Sequence, residues 1–201
     1  MKVIGLCGGS GSGKGTVCEI FRENGIPTID TDAVYRDLTN RPGKLLDALE
    51  SEFGSDVITV EGSFDRKALA NIVFSGVDSS EKLKKLNSIA HKYILDEARA
   101  MLHSYSVGGA SLGVVDAPVL FESGFDSECD CVVCVIADRE RRVERIVARD
   151  SITKAEAERR IDAQISDAEL IAKCDFVIRN DSDLDSLRCE VISTIEKIIR
   201  K

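Results

Sequence analysis

A run of glycines and serines ahead of a lysine is the part of this sequence best suited to bind phosphate. Residues 8–16 read Gly-Gly-Ser-Gly-Ser-Gly-Lys-Gly-Thr, between an apolar run at 3–7 and a helical pattern at 17–21. Glycines adopt left-handed backbone conformations without steric cost, so successive N–H groups can turn inward and form a concave anion site. The spacing from Gly8 to Lys14 is that of a P-loop, whereas an ordinary flexible turn does not require it. A helix starting near Thr16 would direct its positive end at the same phosphate.

Residue 15 departs from the P-loop pattern, which has a Ser or Thr hydroxyl there to hold Mg²⁺. Gly15 has no hydroxyl, and the adjacent one belongs to Thr16. The resulting Gly-Lys-Gly-Thr resembles the loop of adenylate kinases. Thr16 is therefore a candidate Mg²⁺ ligand, with bound waters as the alternative.

Aspartates follow two further apolar runs that read as strands. Asp30 and Asp32 come after a short strand at 26–29, and Asp116 ends a strand that begins at Gly113. Ligands of open parallel sheets bind beyond the carboxyl ends of the strands, so these carboxylates are expected to face the P-loop. One of the first two is expected to cap the helix that follows, and the other to be functional. Asp116 suits Mg²⁺ or its water shell, although Asp is also common in turns.

Three arginines form a row on a helix predicted over 139–150, after a strand at 130–137. Arg142, Arg145 and Arg149 lie within an arc of about 60° at 100° per residue, so they share one face. A solvated, salt-bridged face is the ordinary explanation of such a row. In an acidic chain, and after the fourth strand of a P-loop fold, a lid that grips the transferred phosphate explains the row better.

The remaining patterns complete an alternation of strands and helices. Apolar residues recur three and four positions apart in a long helical insertion between the second and third strands. A capping box at Thr153 and Glu156 starts a second lid helix, which is expected to run through Gln164. Asn180 follows the last strand, at another ligand-facing strand end. The insertion's helices are predicted at 43–53, 65–74 and 79–105, the last strand at 176–179 and the terminal helix at 184–199.

Bulk properties exclude several classes of protein. The net charge of −8 and the pI near 4.9 argue against a nucleic-acid surface, which requires basic patches. Seven scattered cysteines fit reduced thiols better than a disulfide framework. No apolar run approaches the roughly 18 residues of a membrane helix. We therefore expect a cytoplasmic protein that binds neither nucleic acid nor membrane.

Two apparent metal patterns receive no metal assignment. Cys129, Cys131 and Cys134 form Cys-x-Cys-x-x-Cys, but residues 131 and 134 of a strand point to opposite faces. Small buried side chains explain these cysteines better. His91 has no second ligand at metal spacing.

Taken together, the motifs resemble those of dephospho-coenzyme A kinases nearly from end to end. The Asp-x-Asp after strand 2, Leu-Phe-Glu after strand 3 and the terminal Asp-x-x-Ile-x-Asn are far more specific than the P-loop alone. Two residues depart from the family pattern, because Gly15 replaces a Ser and Lys92 replaces a Pro. The matching segments are Gly5–Lys14, Ile29–Ala33, Phe64–Leu69, Leu86–His91, Asp116–Glu122, Arg145–Asp150, Arg160–Gln164 and Cys174–Asn180.

The resemblance implies a fold and a reaction. The fold is α/β, a three-layer P-loop kinase with a five-stranded parallel sheet in the order 2-3-1-4-5. It implies one domain over 1–201, with a helical substrate-binding insertion at 33–111 and a helical lid at 139–166. The reaction is phosphorylation of the ribose 3′-hydroxyl of dephospho-CoA by ATP with Mg²⁺, the last step of coenzyme A synthesis. We expect a monomer whose partners are these small molecules.

The roles of individual residues follow from that reaction. Asp32 is expected to act as the base, while Lys14, Arg145 and Arg149 stabilise the charge on the transferred phosphate. Thr16 and Asp116 are the candidate Mg²⁺ ligands. The residues expected to bind the nucleotide are Gly9, Ser10, Gly11, Ser12, Gly13, Lys14, Gly15, Thr16 and Asn180.

Two other functions remain open at this point. A nucleoside or nucleotide kinase is favoured by Gly15-Thr16, whose likeness is to adenylate kinases. The alternative from a different class of protein is a nucleotide-driven switch such as a GTPase. Proteins of that class recognise guanine with an Asn-Lys-x-Asp motif that follows a strand. Residues 180–183 lack the lysine of this motif.

Overall fold

Five parallel strands form the central sheet of this α/β protein, whose computed structural model describes all of residues 1–201. The order β2-β3-β1-β4-β5 confirms the expected one. Leu6 of β1 pairs with Asp116 of β3 and with Val133 of β4, so β1 lies between these strands and continues to Gly8, two residues beyond the end of β3. The strands span Lys2–Gly8 (β1), Thr28–Asp30 (β2), Leu112–Asp116 (β3), Cys131–Ile136 (β4) and Phe176–Arg179 (β5).

Nine α-helices accompany the sheet, and the sequence patterns predict all but one of them. The first begins at Lys14, two residues earlier than predicted, because Gly13 at φ 91° serves as its N-cap. The strand predicted at 26–29 lies slightly later, at Thr28–Asp30. The helices are Lys14–Glu23 (α1), Thr31–Thr39 (α2), Lys44–Phe53 (α3), Arg66–Phe74 (α4), Ser79–Val107 (α5), Arg139–Asp150 (α6), Lys154–Asp162 (α7), Asp167–Lys173 (α8) and Leu184–Arg200 (α9).

One compact unit comprises residues 1–29 and 104–201, and its core packs β1, β3, β4 and β5 with α1 and α9. Apolar residues that recur with period two in the strands and with period 3.6 in the helices are buried in this core. Val133 of a strand and Phe21 of a helix are examples, and both are fully buried. Cys131 and Cys134 belong among the buried strand residues, which agrees with their interpretation as small core side chains. Burial raises the pKa of the Cys131 thiol to about 11.

The second compact unit comprises Asp30–His103 and is helical. Its own core consists of Leu45, Leu46 and Leu49 of α3 with apolar residues of α4 and of the one-turn 3-10 helix at Ser55–Val57. The longest helix, α5, runs unbroken through Lys92. A proline there would remove a helix hydrogen bond, so the lysine suits a continuous helix.

Helices α6 and α7 form a hairpin with a small apolar core of Val143, Ile146, Ala157 and Ile161. The predicted capping box is present, because Thr153 Oγ1 accepts the Glu156 N–H and the Glu156 carboxylate accepts the Thr153 N–H. Helix α7 ends at Asp162, so Gln164 lies beyond it rather than within it. Helix α8 was not predicted, although Ser166 and Glu169 form a second capping box before it.

The sheet core is expected to carry much of the stability of its unit. Truncation of Phe21 to alanine removes a fully buried ring and should lower the free energy of unfolding by about 3–5 kcal/mol. The control is Phe74→Ala, because Phe74 is 67% exposed and its loss should change stability by no more than about 0.5 kcal/mol. Urea unfolding of both variants measures the difference, and equal losses would contradict this description of the core.

Candidate phosphate-binding site

The loop between β1 and α1 has the backbone shape of an anion cradle. Gly11 and Gly13 hold left-handed φ angles of 78° and 91°, and the Ser12 N–H donates to Gly9 O at 3.1 Å. No side chain caps the start of α1. Its first-turn N–H groups and its positive end therefore remain available to an anionic group.

A buried hydroxyl in this loop also lacks a partner. Ser12 is 1% exposed, and its Oγ makes no hydrogen bond within the protein. A buried polar group without a partner is costly, so native proteins rarely leave one unless a ligand or water completes it. The glycine cradle and this hydroxyl together fit the phosphate groups of a nucleotide.

Asn180 supports the loop from the carboxyl end of β5. The residue is 6% exposed, and its Nδ2 donates to Ser12 O at 2.9 Å. A Cβ added to Gly13 would lie 2.0 Å from the same Nδ2, so this contact requires glycine at position 13. In this structure the contact made by the Asn180 side chain is therefore with the loop itself, while its part in binding nucleotide stays a prediction.

Two arginines of α6 reach the loop. Arg145 Nη1 donates to Gly11 O at 3.2 Å, and its Nη2 donates to Asn180 O at 3.0 Å. Arg142 Nε donates to Ser10 O at 2.9 Å. Because Arg142 is 4% exposed, it is built into the loop's surroundings rather than into a solvated face.

Arg149, the third arginine of the row, is engaged elsewhere. Its guanidinium donates to both carboxylate oxygens of Asp150, at 2.7 and 2.9 Å. Arg160 also donates to Asp150. The hydrogen bond from Arg149, followed by that from Arg160, lowers the pKa of the Asp150 carboxyl to about 2. The structure therefore brings Arg145 to the loop and pairs Arg149 with its neighbouring carboxylate.

Lys14 and Asp116 meet as expected from their places after β1 and at the end of β3. Lys14 Nζ donates to Asp116 Oδ1, and both side chains are largely buried. Cys18 Sγ donates to the other oxygen at 3.3 Å, so two donors orient this carboxylate. Burial, and then the Asp116 charge, raise the pKa of the Cys18 thiol, which stays protonated as a donor.

The donor set around this carboxylate can be compared with the needs of Mg²⁺. No group of three or more His, Cys, Asp or Glu side chains is arranged to hold a metal ion. Mg²⁺ commonly keeps several waters and uses one or two carboxylates plus substrate phosphates, so Asp116 and the Thr16 hydroxyl in the first turn of α1 are a chemically suitable pair. A Cβ added to Gly15 would meet no atom within 4 Å, so packing does not explain the glycine there.

One of the two aspartates at the junction of β2 and α2 caps the helix, as the sequence suggests. Asp30 is the N-cap of α2, and its Oδ1 accepts the N–H groups of Asp32 at 2.9 Å and of Ala33 at 3.0 Å. Asp32 lies in the first turn of the helix. The capping role therefore belongs to Asp30, and the functional role stays assigned to Asp32 as a prediction.

One contact of this site was missed by sequence reasoning. Gln164 Oε1 accepts the Ser10 N–H at 2.9 Å, and Gln164 Nε2 donates to Ser10 Oγ at 3.2 Å. Gln164 also lies within the family-like segment at 160–164. That segment was the only sequence signal, and it does not say which residue the amide contacts.

The parallel sheet order, the glycine cradle after β1 and the arginine hairpin after β4 define a P-loop kinase. The sequence profile described as Dephospho-CoA kinase matches residues 2–186. The chain therefore belongs to the dephospho-CoA kinase family. None of its helices combines the length and apolar composition needed to cross a bilayer.

Individual relatives agree with this assignment. A dephospho-CoA kinase of Fusobacterium nucleatum is 37% identical over 185 residues, covering 92% of each chain. The crystal structure of TT1252 from Thermus thermophilus is similar with a TM-score of 0.77 and 30% identity, over 98% of this chain and 97% of that one. Dephospho-CoA kinase from Campylobacter jejuni gives a TM-score of 0.71 and 26% identity over 98% of both chains. The likeness thus spans the whole kinase, not the P-loop alone.

Substitution of Gly13 tests the cradle. Gly13→Ala places a Cβ against Asn180 and forces alanine into a left-handed conformation that costs roughly 1–2 kcal/mol. Displacement of the loop should weaken ATP binding by about tenfold or more, as measured by calorimetric titration.

Gly43→Ala is the matched control for Gly13→Ala. Gly43 has an extended backbone at φ 165°, and an added Cβ would meet no atom within 4 Å. The control variant should bind ATP as the unmodified chain does. Equal affinity of both variants would refute the role of Gly13.

Proposed function

We propose that this kinase transfers the γ-phosphoryl group of ATP to the ribose 3′-hydroxyl of dephospho-CoA and so produces coenzyme A. The observation that carries the proposal is membership of the dephospho-CoA kinase family over residues 2–186, together with an intact phosphate cradle at 9–16. Phosphoryl transfer passes through a loose transition state, so the protein mainly positions the reactants and supplies positive charge.

The loop N–H groups and Lys14 hold the β- and γ-phosphates in this proposal. Lys14 is paired with Asp116 in the structure, so ATP binding exchanges a carboxylate partner for phosphate oxygens. Bound Mg²⁺ would supply positive charge against the charge that develops on the phosphates. Thr16 and Asp116 would hold the ion or its waters, as the oxygen ligands that Mg²⁺ prefers.

Asp32 is proposed to orient the ribose hydroxyl and accept its proton. The support is topological, because Asp32 follows β2 as the P-loop follows β1, and ligands of open parallel sheets bind beyond the carboxyl ends of the strands. Chemical support comes from Asp30, which already satisfies the first N–H groups of α2. The second carboxylate is therefore not required for capping.

Arg145 and Arg149 are proposed to stabilise the γ-phosphate, and residues 139–166 to act as the lid. Arg145 already contacts the loop, whereas Arg149 has to exchange Asp150 for phosphate. The helical insertion at 33–111 is proposed to bind dephospho-CoA. A monomer in the cytoplasm remains our expectation.

An acceptor panel tests the proposed reaction. ADP release from ATP is measured with dephospho-CoA, adenosine or AMP in parallel, and we expect release above background with dephospho-CoA alone. The product should carry its new phosphate on the 3′-hydroxyl, as determined by phosphorus NMR. Release only with adenosine or AMP would replace the proposed acceptor, and tight GTP binding without acceptor-dependent turnover would favour a switch.

Asp32→Asn tests the base. Loss of proton acceptance should lower kcat by about 10²–10⁴-fold while the Kd for ATP stays unchanged. Asp30→Asn is the matched control, because asparagine caps helices as well as aspartate does and should leave kcat close to that of the unmodified chain. Near-normal turnover of Asp32→Asn would remove Asp32 from the mechanism.

A further inference from the structure

Every polar group of Ser10 is bonded to the segment that follows β4. Its carbonyl accepts from Arg142 Nε at 2.9 Å, its N–H donates to Gln164 Oε1 at 2.9 Å, and its Oγ accepts from Gln164 Nε2 at 3.2 Å. Ser10 lies in the first part of the P-loop, ahead of Lys14 and the start of α1. The conformation of this half of the loop therefore depends on side chains more than 130 residues away.

The bonded groups are themselves held in place. Arg142 Nη2 donates to Gln164 Oε1 at 3.1 Å, and Arg142 Nη1 donates to Asp167 Oδ1 at 2.9 Å. We call Arg142, Gln164 and Asp167 the Ser10 clamp. The Arg142 side chain is 5% exposed, so its cost of burial is offset by these charge-assisted bonds.

The loop approaches the Ser10 clamp too closely for side chains at two positions. A Cβ on Gly9 would lie 2.3 Å from Arg142 Nη2, and a Cβ on Gly11 would lie 2.6 Å from Arg142 O. The glycines of the first half of the loop thus serve this contact as well as the turn. The clamp is accordingly a built feature of the site.

We propose that Gln164 is a positioning residue of the P-loop, which fixes Ser10 before the nucleotide arrives and so strengthens ATP binding. The proposal rests on the proposed use of this loop for ATP and adds a residue that touches no phosphate. A loop ordered in advance loses less conformational freedom on binding, so affinity rises without a new contact to the ligand. The contribution of Gln164 is therefore expected in the affinity for ATP and not in the rate of phosphoryl transfer.

The place of Gln164 in the chain gives the clamp a second consequence. Arg142 lies near the start of the α6–α7 hairpin, and Gln164 lies just after its end. Both ends of the hairpin are thereby tied to Ser10. If these bonds persist when ligand binds, the proposed lid would move mainly in its distal part, which carries Arg149.

Gln164→Met tests the proposal, because methionine has a similar length but cannot make the two hydrogen bonds of the Gln164 side-chain amide to Ser10. We expect the Kd for MgATP, measured calorimetrically without acceptor, to rise about tenfold, since two hydrogen bonds that order the loop are lost. At saturating ATP, kcat should stay within about threefold of the unmodified chain. Gln164 is exposed, so the variant should fold, and thermal unfolding checks this.

Ala168→Met is the matched control, since it places the same side chain at an exposed position on α8 that takes no part in the hydrogen bonds to Ser10. Its Kd for MgATP should not change. An unchanged Kd in Gln164→Met, or an equal rise in both variants, would overturn the proposal. If the unmodified chain binds MgATP but does not phosphorylate dephospho-CoA, the proposed acceptor fails while this binding test still stands.

Ser10→Ala by itself supplies a second measurement that does not require the Gln164→Met variant to fold. It removes the Oγ contact alone and should raise the Kd for MgATP by about threefold. In the Ser10→Ala background, Gln164→Met should cost less affinity than it does alone, because the bond from Gln164 Nε2 to Ser10 Oγ is already absent. Strictly additive effects would count against the clamp.

Discussion

This site depends on hydrogen bonds that side chains outside the P-loop donate to the carbonyl groups of the loop. Arg142, Arg145 and the Asn180 amide together bind the carbonyls of Ser10, Gly11 and Ser12. A peptide unit whose C=O is fixed on one side presents its neighbours' N–H groups on the other, which is how a nest for anions forms. The approach is so close that a Cβ at position 9, 11 or 13 would displace Arg142 or Asn180. The glycines are thus required by the supporting side chains as much as by the phosphate.

Two cations that are proposed to bind phosphate, Lys14 and Arg149, are paired with carboxylates in the structure. Lys14 bonds to Asp116, and Arg149 and Arg160 bond to Asp150. In a chain of net charge −8, such pairing compensates the local positive charge, and in the proposed reaction the phosphates of ATP would replace the carboxylates. A buried charge that loses its partner is costly. Nucleotide binding would therefore depend on which group becomes the new partner of the displaced carboxylate. For Asp116, the proposed Mg²⁺ provides that new partner.

Much of the fold follows from the sequence, because local rules decide it. Apolar periodicity and capping residues predict the elements, and the capping box at Thr153 starts α7 where expected. The partners of individual side chains are decided by distant contacts, which periodicity does not contain. Arg142, Arg145 and Arg149 lie on one helix as predicted, yet Arg142 and Arg145 bond to the loop, whereas Arg149 pairs with Asp150. Gln164 could not be assigned for the same reason, since its partner Ser10 lies 154 residues earlier.

The existence of two separate cores bears on how the acceptor side of the reaction is built. Helix α2 carries Asp32, and its residues Tyr35 and Leu38 pack in the core of the helical unit with Leu45 and its neighbours. The sheet unit has a different core, which fixes the P-loop through β1 and α1. The proposed base therefore takes its orientation from the unit proposed to bind dephospho-CoA, while the phosphate cradle takes its orientation from the sheet. A substitution in the helical core should for this reason disturb use of the acceptor before it disturbs binding of ATP.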